Sequence, residues 1–152
     1  MSFVYLASPY EHETHRVRED RARLVVRHTA WAMENWQTTF SPIAQGHQLP
    51  LWMENAHVSD YQFWLHHDIN MLEKADELHV LMIDGWETSK GCIMEVEFAL
   101  AKLNIVVKGV ELKQHPSGLV FIQAEASQLV SVPDADPPII KPASEKRLYL
   151  VT

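Results

Sequence analysis

The chain has 152 residues, of which 47% are hydrophobic and 22% are charged, a composition typical of one globular domain. A net charge of −7 argues against general affinity for nucleic acid polymers or anionic membranes, but it leaves room for a local positive pocket that binds one small phosphate. The single cysteine, Cys92, excludes an internal disulfide and fits a reducing compartment. Because no signal peptide and no run of ~20 apolar residues is found, we expect a cytoplasmic protein without membrane contact.

The predicted elements alternate between strands and helices along the chain. Short apolar runs rich in β-formers predict strands at residues 2–7, 37–40, 78–83, 104–110 and 119–122. Apolar residues at helical spacing, with helix-capping signals before the second and third helices, predict helices at residues 16–36, 59–74 and from Ser89 onward. This order predicts a doubly wound α/β domain with a mostly parallel sheet of about five strands flanked by helices.

Two domain-level predictions follow from this order. The α/β domain is expected to cover residues 1–131. Residues 132–152 are rich in proline and are expected to form an extended or irregular tail. Whether this tail docks on the domain or on a neighbouring subunit is left open by the sequence.

Three loops should meet at the carboxyl edge of the predicted sheet: Ser8-Pro9-Tyr10, residues 41–56 and residues 84–91. Ligands of open α/β sheets bind at this edge, near helix N-termini. The loop at 41–56 is long for a compact domain, as lids and binding loops are. Its His47 is either a ligand contact or a surface histidine. Trp86 in the third loop either stacks on a base or belongs to the core.

Two acidic residues lie on the helices that flank this crevice. Glu95 falls off the apolar face that contains Ile93 and Val96, whereas Asp68 falls on the apolar stripe of the preceding helix. A carboxylate on a core-facing stripe needs a partner or a chemical role. The structural alternatives are a solvated glutamate and a loop-capping aspartate. Such a pair suits cleavage of a glycosidic bond, in which one group attacks the anomeric carbon and the other assists the leaving group.

Other chemistries lack their sequence signatures. The chain has neither the Rossmann glycine fingerprint nor the Walker A loop, and it has no G-x-S-x-G nucleophile elbow. Cys92 has no associated base signature. Although there are nine histidines, none has ligand-like spacing joined to a second cluster, so we predict no metal site and no cofactor.

The order and separation of several motifs resemble the nucleoside 2-deoxyribosyltransferase superfamily. These motifs are Tyr5-Leu6-Ala7-Ser8-Pro9-Tyr10, Asp68 with Leu72 and Ala75-Asp76, and Ser89-x-Gly91-x-x-x-Glu95 with Ala99. Ser41-Pro42-Ile43-Ala44 and Gly85-Trp86 resemble an uncharacterised bacterial or phage branch of it. The resemblance spans residues 3–108 and implies a flavodoxin-like fold, a homodimer or larger oligomer, and cleavage of the N-glycosidic bond of a nucleoside or nucleotide.

The resemblance implies roles for individual residues. Glu95 would be the nucleophile that attacks C1′ and forms a glycosyl-enzyme, and Tyr5 would hydrogen-bond Glu95 and hold its rotamer. Asp68 would contact the base or the sugar hydroxyls and assist protonation of the leaving group; burial by its neighbours would raise its proton affinity. The expected substrate contacts are Ser8, Pro9, Tyr10, Ser41, His47, Trp86, Ser89 and Gly91.

The residue six positions before the nucleophile separates branches of this superfamily. It is typically an acid that binds the sugar 5′-hydroxyl in the nucleoside transferases, and a serine in a phosphate pocket in the 5′-monophosphate hydrolases. Here it is Ser89, beside Lys90 at a helix N-terminus, which favours an anion. The first loop, Ser8-Pro9-Tyr10, differs from the glycine-rich loop of those hydrolases.

The resemblance therefore implies hydrolysis of a (deoxy)ribonucleoside 5′-monophosphate to free base and sugar 5-phosphate. A nucleoside 2-deoxyribosyltransferase that exchanges bases is the first alternative, since water and an acceptor base compete for the same glycosyl-enzyme. A catalytically inactive nucleotide-binding module is the second, because a fold does not fix a function.

Overall fold

The computed structural model describes residues 2–54, 60–115 and 118–128, with side chains described as far as Leu112. One five-stranded sheet has the order β2-β1-β3-β4-β5. Its strands are β1 (Phe3–Ala7), β2 (Thr38–Phe40), β3 (Glu77–Leu81), β4 (Val106–His115) and β5 (Gly118–Gln128). The first four strands are parallel, and β5 runs antiparallel to β4 at one edge. The predicted α/β fold with a mostly parallel sheet is confirmed, whereas the predicted tail at 132–152 lies outside the described residues.

Four α-helices connect and flank these strands. They are α1 (His15–Glu34), α2 (Pro42–Gly46), α3 (Tyr61–Leu72) and α4 (Lys90–Phe98), and Ala99–Leu103 continues α4 as a π-helical turn. Helix α4 begins as predicted, because the Ser89 hydroxyl accepts a hydrogen bond from the Cys92 amide. Helix α1 ends two residues before the predicted position, since Trp36 adopts a left-handed conformation with φ of 62°.

Residues 41–54, the described part of the predicted long loop at 41–56, contain two helical segments. Ser41 caps α2 by accepting a hydrogen bond from the Ala44 amide at 3.0 Å, and Pro42 occupies the first helical position, where its missing N–H costs nothing. Leu49–Leu51 adds one 3₁₀ turn. Asp60 caps α3, because its side chain accepts a hydrogen bond from the Gln62 amide at 2.9 Å. The sequence favours Ser59 as the cap, but Ser59 lies outside the described residues.

The core occupies both faces of the sheet, because β1 and β3 lie in its interior. Side chains alternate along a strand, so Tyr5 and Ala7 point to one face and Leu6 to the other. The Tyr5 face packs against α3 and α4 through residues that include Leu72 and Val96. The Leu6 face packs against α1. As predicted, β3 is buried on both sides, and it brings the loop at 84–88 to the carboxyl edge beside the end of β1.

Candidate active site

A buried hydrogen bond between a phenol and a carboxylate lies at the centre of the candidate site. Tyr5 on β1 donates its hydroxyl to Glu95 Oε1 on α4 at 2.9 Å, the contact that the family resemblance implies. Tyr5 is fully buried and Glu95 is 8% exposed. The alternative of a solvated glutamate is therefore wrong for Glu95.

The predicted placement of Glu95 off the packed face of α4 is also wrong. The buried residues of this segment are Cys92, Glu95, Val96 and Ala99, which follow the helical spacing of one face. A pattern of apolar residues alone assigns a carboxylate to the solvent side. Glu95 is buried instead, because the Tyr5 hydroxyl donates a hydrogen bond to one of its carboxylate oxygens inside the core.

Burial changes the protonation of Glu95. Desolvation raises the pKa of Glu95 to about 8; the hydrogen bond from Tyr5 acts against this rise, and the charge of Asp68 adds to it. Desolvation, followed by the charge of Glu95, also raises the pKa of Tyr5 well above its usual value, so the phenol stays protonated and remains a donor. Near neutral pH, the free protein therefore holds a proton on or near Glu95.

Asp68 is the second ionisable group of the site. It lies on α3 with its side chain 19% exposed, and its Oδ1 is 3.5 Å from Nδ1 of His67. Desolvation raises the pKa of Asp68 to about 6, although His67 opposes the rise. The charge of Asp68 acts on both Tyr5 and Glu95, which places the three groups in one electrostatic unit. Both carboxyl groups therefore have raised pKa values, and the charge of Asp68 adds to the rise at Glu95.

Aromatic contacts and a cavity surround Asp68. The ring of Phe40 lies 5.7 Å from that of Tyr5 and 5.9 Å from that of His67, so it connects β1 with α3. The cavity measures about 180 Å³ and is lined by Pro42, Gln45, Gly46, Leu49, Trp64, His67 and Asp68, among others. By its helical position, His67 lies off the apolar stripe of α3, which favours a surface residue. Its ring is half exposed but contacts Asp68 and Phe40.

The first loop and the segment after α2 meet through hydrogen bonds. Tyr10 Oη lies 2.8 Å from Nδ1 of His47, whose Nε2 lies 3.1 Å from Glu19 Oε1 on α1. The side chain of His47 is 17% exposed, so it is not a surface histidine, and it does not line the cavity beside Asp68. Pro9 is buried. Ser8 Oγ is buried and has no hydrogen-bond partner among the described residues.

The remaining predicted contacts have structural explanations in this chain. Trp86 is 3% exposed and packs in the core on the Tyr5 face, which favours its core interpretation over base stacking. The hydroxyls of Ser41 and Ser89 each cap the helix that follows them. At Gly91 an added Cβ would meet only Ser89 Oγ, at 3.9 Å, so the space around Gly91 is open.

Sequence analysis missed how Arg21 connects two of the loops. Its Nη1 donates to the carbonyl oxygen of Glu11 at 2.8 Å and more weakly to that of Tyr10 at 3.4 Å. The guanidinium also packs directly on Gly85, where φ is +92° and a Cβ would collide with it. Four arginines crowd the start of α1, and only the three-dimensional arrangement distinguishes Arg21 from the others.

The described residues do not form a metal site, a membrane-spanning helix or a reactive thiol. Within residues 2–54, 60–115 and 118–128, no group of three His, Cys, Asp or Glu side chains is arranged to hold a metal ion. No helix in the described part of the chain is both long and apolar enough to cross a bilayer. Cys92 is fully buried, and burial raises the pKa of its thiol, which makes it a poor nucleophile.

Comparison with known proteins places the chain in a family. Residues 2–110 match the model of a domain of unknown function, DUF1937. The fold is similar to that of the 2-deoxyribosyltransferase from the psychrotolerant bacterium Bacillus psychrosaccharolyticus, with a TM-score of 0.53 and 19% identity over 72% of each chain. No curated protein matches the sequence significantly. The fold that the motif resemblance implies is thus confirmed, and because the family match covers most of its length, the chain belongs to the DUF1937 family.

Proposed function

We propose that the protein cleaves the N-glycosidic bond of a (deoxy)ribonucleoside 5′-monophosphate through a covalent intermediate on Glu95. The observation that carries this proposal is the buried hydrogen bond from Tyr5 to Glu95, within the electrostatic reach of Asp68. Structural similarity to a 2-deoxyribosyltransferase supports chemistry at the same bond. A carboxylate kept in the core at the cost of desolvation, with one oxygen oriented by a phenol, is suited to nucleophilic attack.

In the first step of the proposed reaction, one carboxylate oxygen of Glu95 attacks C1′. The C1′–N bond breaks, and its electron pair leaves with the base, which takes a proton from Asp68. In the second step, water attacks C1′ and its proton passes to Asp68, while the ester bond to Glu95 breaks and the carboxylate returns. The two steps use one proton on the pair and restore it at the end. Tyr5 stabilises the carboxylate form at both ends of the cycle.

The proposed reaction needs one proton on this pair of carboxyl groups. Burial raises the pKa of both Glu95 and Asp68, so the free protein can hold that proton. The reaction needs it on Asp68. We propose that positive charge developing at C1′ next to Glu95 favours its ionised form, and that the proton then serves the leaving base.

The choice of a 5′-monophosphate rests on the N-terminus of α4. Ser89 stands where an acidic residue would repel an anion, and Lys90 follows it. Because the Ser89 hydroxyl caps α4, a phosphate there would be bound chiefly by backbone N–H groups and the helix dipole. The open space around Gly91 leaves room for such an approach.

A nucleoside 2-deoxyribosyltransferase is an equally supported alternative, because one of the structures similar to this chain is that of a 2-deoxyribosyltransferase. The same glycosyl-enzyme would then be attacked by a second base instead of water. The substrate is in either case a small nucleoside or nucleotide. A homo-oligomer and a cytoplasmic location also belong to this proposal.

Base release and base exchange separate these functions. The test incubates the protein with a panel of nucleosides and nucleoside 5′-monophosphates, with and without an acceptor base, and follows free and exchanged bases by chromatography. Release from monophosphates without exchange supports the hydrolase. Exchange on unphosphorylated deoxynucleosides would replace it with the transferase, and nucleotide binding without turnover would favour an inactive binding module.

A further inference from the structure

Arg21 is a half-buried cation that has no counter-ion in the described part of the chain. Arg16 on the same helix lies 3.9 Å from the carboxylate of Asp20, but the guanidinium of Arg21 forms no ion pair with any side chain that the structure describes. Charged side chains that leave bulk water are normally paired, because desolvation of an unpaired charge costs free energy. In a protein with a net charge of −7, a half-buried cation without an acidic partner points to an anion from outside the chain.

The guanidinium of Arg21 also has unused hydrogen-bond donors. Nη1 donates to the carbonyl oxygens of Glu11 and Tyr10, at 2.8 and 3.4 Å. Nε is buried and has no partner among the described residues. Nη2 has no acceptor there either, but unlike Nε it is not fully buried. Arg21 therefore offers a ligand a positive charge together with N–H groups that the protein itself leaves without acceptors.

Contacts with two loops hold this guanidinium in a fixed position. Its two hydrogen bonds go to the first loop, and it packs on Gly85 of the third loop, where φ is +92° and a Cβ would collide with it. A free arginine side chain loses much rotamer freedom when a ligand fixes it. Because Arg21 is already held by the protein, a ligand that binds it does not bear that entropic cost.

The charge of Arg21 acts on the first turn of α4. Desolvation, followed by the charge of Glu95, raises the pKa of the buried Cys92 thiol, and the positive charge of Arg21 acts against this rise. The Cys92 amide donates to the hydroxyl of Ser89, the residue that caps α4. Together with the contact on Gly85, this interaction places Arg21 beside the helix end where the phosphate is proposed to bind.

We propose that Arg21 binds the 5′-phosphate of the substrate and makes the protein prefer phosphorylated substrates to free nucleosides. This inference rests on the proposed function for the identity of the anion and for its position at α4. Backbone N–H groups at a helix N-terminus carry only partial charges. A guanidinium adds a full positive charge and charge-assisted hydrogen bonds to phosphate oxygens. The bound phosphate is then the counter-ion that Arg21 lacks in the free protein.

Two carboxylates indicate the side from which the phosphate approaches Arg21. Asp20 and Asp84 line a cavity of about 190 Å³ that Arg21 also borders. Their negative charges would repel a phosphate in that cavity. On the side of α4, the space around Gly91 is open. The phosphate is therefore expected between Arg21 and the first turn of α4.

The first test uses inorganic phosphate alone. Phosphate should raise the midpoint of thermal unfolding of the wild type by about 3 °C more than sodium chloride of equal ionic strength does, because a ligand of the folded state stabilises it. This extra rise should vanish in Arg21→Gln. It should persist in Arg23→Gln, the matched control, which removes the same charge from an exposed position on α1. An equal rise in the wild type and Arg21→Gln, or none in the wild type, would overturn the inference.

The second test compares the dissociation constants of a nucleoside 5′-monophosphate and of the same unphosphorylated nucleoside. We expect the preference of the wild type for the monophosphate to fall by about 10- to 100-fold in Arg21→Gln, since a hydrogen bond to a charged group contributes on that order. Arg21→Lys keeps the charge without the planar donors, so it should retain only part of the preference. Arg23→Gln should behave as the wild type.

A purely structural role for Arg21 predicts a different result. If Arg21 only held the two loops together, Arg21→Gln would weaken the nucleoside and the monophosphate equally and leave the preference unchanged. That outcome would overturn the inference. Circular dichroism checks the folding of each variant. Where Arg21→Gln does not fold, Arg21→Lys replaces it, and an undiminished preference in Arg21→Lys would overturn the inference as well.

Calorimetry on the Glu95→Gln background measures these constants without turnover, which separates the role of Arg21 from the proposed reaction. A preference for monophosphates that depends on Arg21, in a protein that turns over no substrate, would retain the phosphate site and overturn the reaction. Cleavage of nucleosides with no preference for monophosphates would retain the chemistry at Glu95 and overturn the role of Arg21. Absence of binding by every nucleoside and nucleotide would overturn both.

Discussion

The two faces of the sheet both bury ionisable groups, but burial shifts the pKa values of acids and histidines in opposite directions. On the face of α3 and α4, Glu95 and Asp68 have raised pKa values, of about 8 and about 6, so burial makes them hold protons. On the face of α1, His28 is 1% exposed, and desolvation lowers its pKa to about 4, so burial makes it release one. His79 on the same face also has a lowered pKa, chiefly through desolvation.

The surroundings of these groups show why only one face is a candidate for catalysis. Asp68 lines a cavity, and its charge contributes to the raised pKa values of both Tyr5 and Glu95. His28 stacks on Trp31, and His79 is 2.8 Å from Glu77, which Lys108 also contacts. A perturbed pKa thus indicates function only where a ligand can reach the group. Substitutions on the two faces should therefore affect different measurements.

The largest effect is expected for Glu95→Gln. Removal of the nucleophile should lower the rate of base release by at least about 10³-fold, while Tyr5 can still donate to the amide oxygen. Because a raised pKa means that the folded state holds a proton which the unfolded state releases, the contribution of Glu95 to stability should fall as pH rises from about 4.5 to about 8, in opposition to that of His28. The variant should lack that loss.

Single-turnover assays and chemical denaturation at several pH values measure the two effects of Glu95→Gln. Glu97→Gln is the matched control, since it changes the same residue type two positions along α4 without touching Tyr5. Full activity in Glu95→Gln would move the reaction to another site. A loss of activity of the same size in Glu97→Gln would indicate a damaged helix instead of a lost nucleophile.

The position of Glu95 illustrates how much of the site can be predicted from the sequence. The alternation of elements and the Ser89 cap predict the parallel sheet and the start of α4, because both depend on local patterns. The pairing of Tyr5 with Glu95 was available from resemblance alone, since the two residues lie 90 positions apart. Apolar periodicity placed Glu95 on the wrong side of α4, because it takes no account of a hydrogen-bond donor supplied by another element.

Contacts between distant segments could not be predicted from the sequence for the same reason. His47 pairs with Glu19 across 28 positions, and Arg21 packs on Gly85 across 64 positions, so neither contact has a periodic signal. The predicted long loop at 41–56 failed for a different reason. Its Ser41-Pro42 pair is a helix-start signal, but a proline directly after a predicted strand equally indicates the end of that strand.

Asp68→Asn should have the next largest effect. Loss of the group that protonates the base should lower the rate by about 10²- to 10³-fold for a base that needs protonation to leave, because general acid catalysis contributes on that order. For a base that leaves easily as an anion, the loss should be small. Rates with two substrates of different leaving-group basicity measure this contrast. An equal loss for both would assign Asp68 to binding instead of proton transfer.

On the opposite face, acid should destabilise the protein through His28. Its pKa is about 4 in the folded state and about 6.5 in the unfolded chain, so the stability it contributes is full above pH 6.5 and falls as pH decreases toward 4. Between pH 7 and pH 5 the free energy of unfolding should drop by about 2 kcal/mol from this group. Glu95 and Asp68, whose pKa values are raised, contribute in the opposite sense in both proteins, so the test is the difference between them: from pH 7 to pH 5 the free energy of unfolding of His28→Asn should rise relative to that of the wild type by about 2 kcal/mol.

Urea denaturation at pH 7 and pH 5 measures the contribution of His28, and the difference between the two values removes any change in baseline stability. His66→Gln, an exposed histidine on α3, serves as the control and should follow the wild type. An identical drop in His28→Asn would assign the acid sensitivity to other groups. The activity per folded molecule of His28→Asn at pH 7 should be unchanged. Such a result would mean that the α1 face affects stability, whereas the face of α3 and α4 affects activity.

Tyr5→Phe should produce the smallest effect and the most informative one. The hydrogen bond from Tyr5 lowers the pKa of Glu95, so its removal should raise that pKa further. Since attack needs the carboxylate, the acid limb of the kcat/KM profile should move to higher pH, with a loss of about tenfold near neutral pH. A rate that falls equally at every pH would mean that Tyr5 only fills the core, whereas recovery at alkaline pH would identify the phenol as the group that lowers the pKa of Glu95.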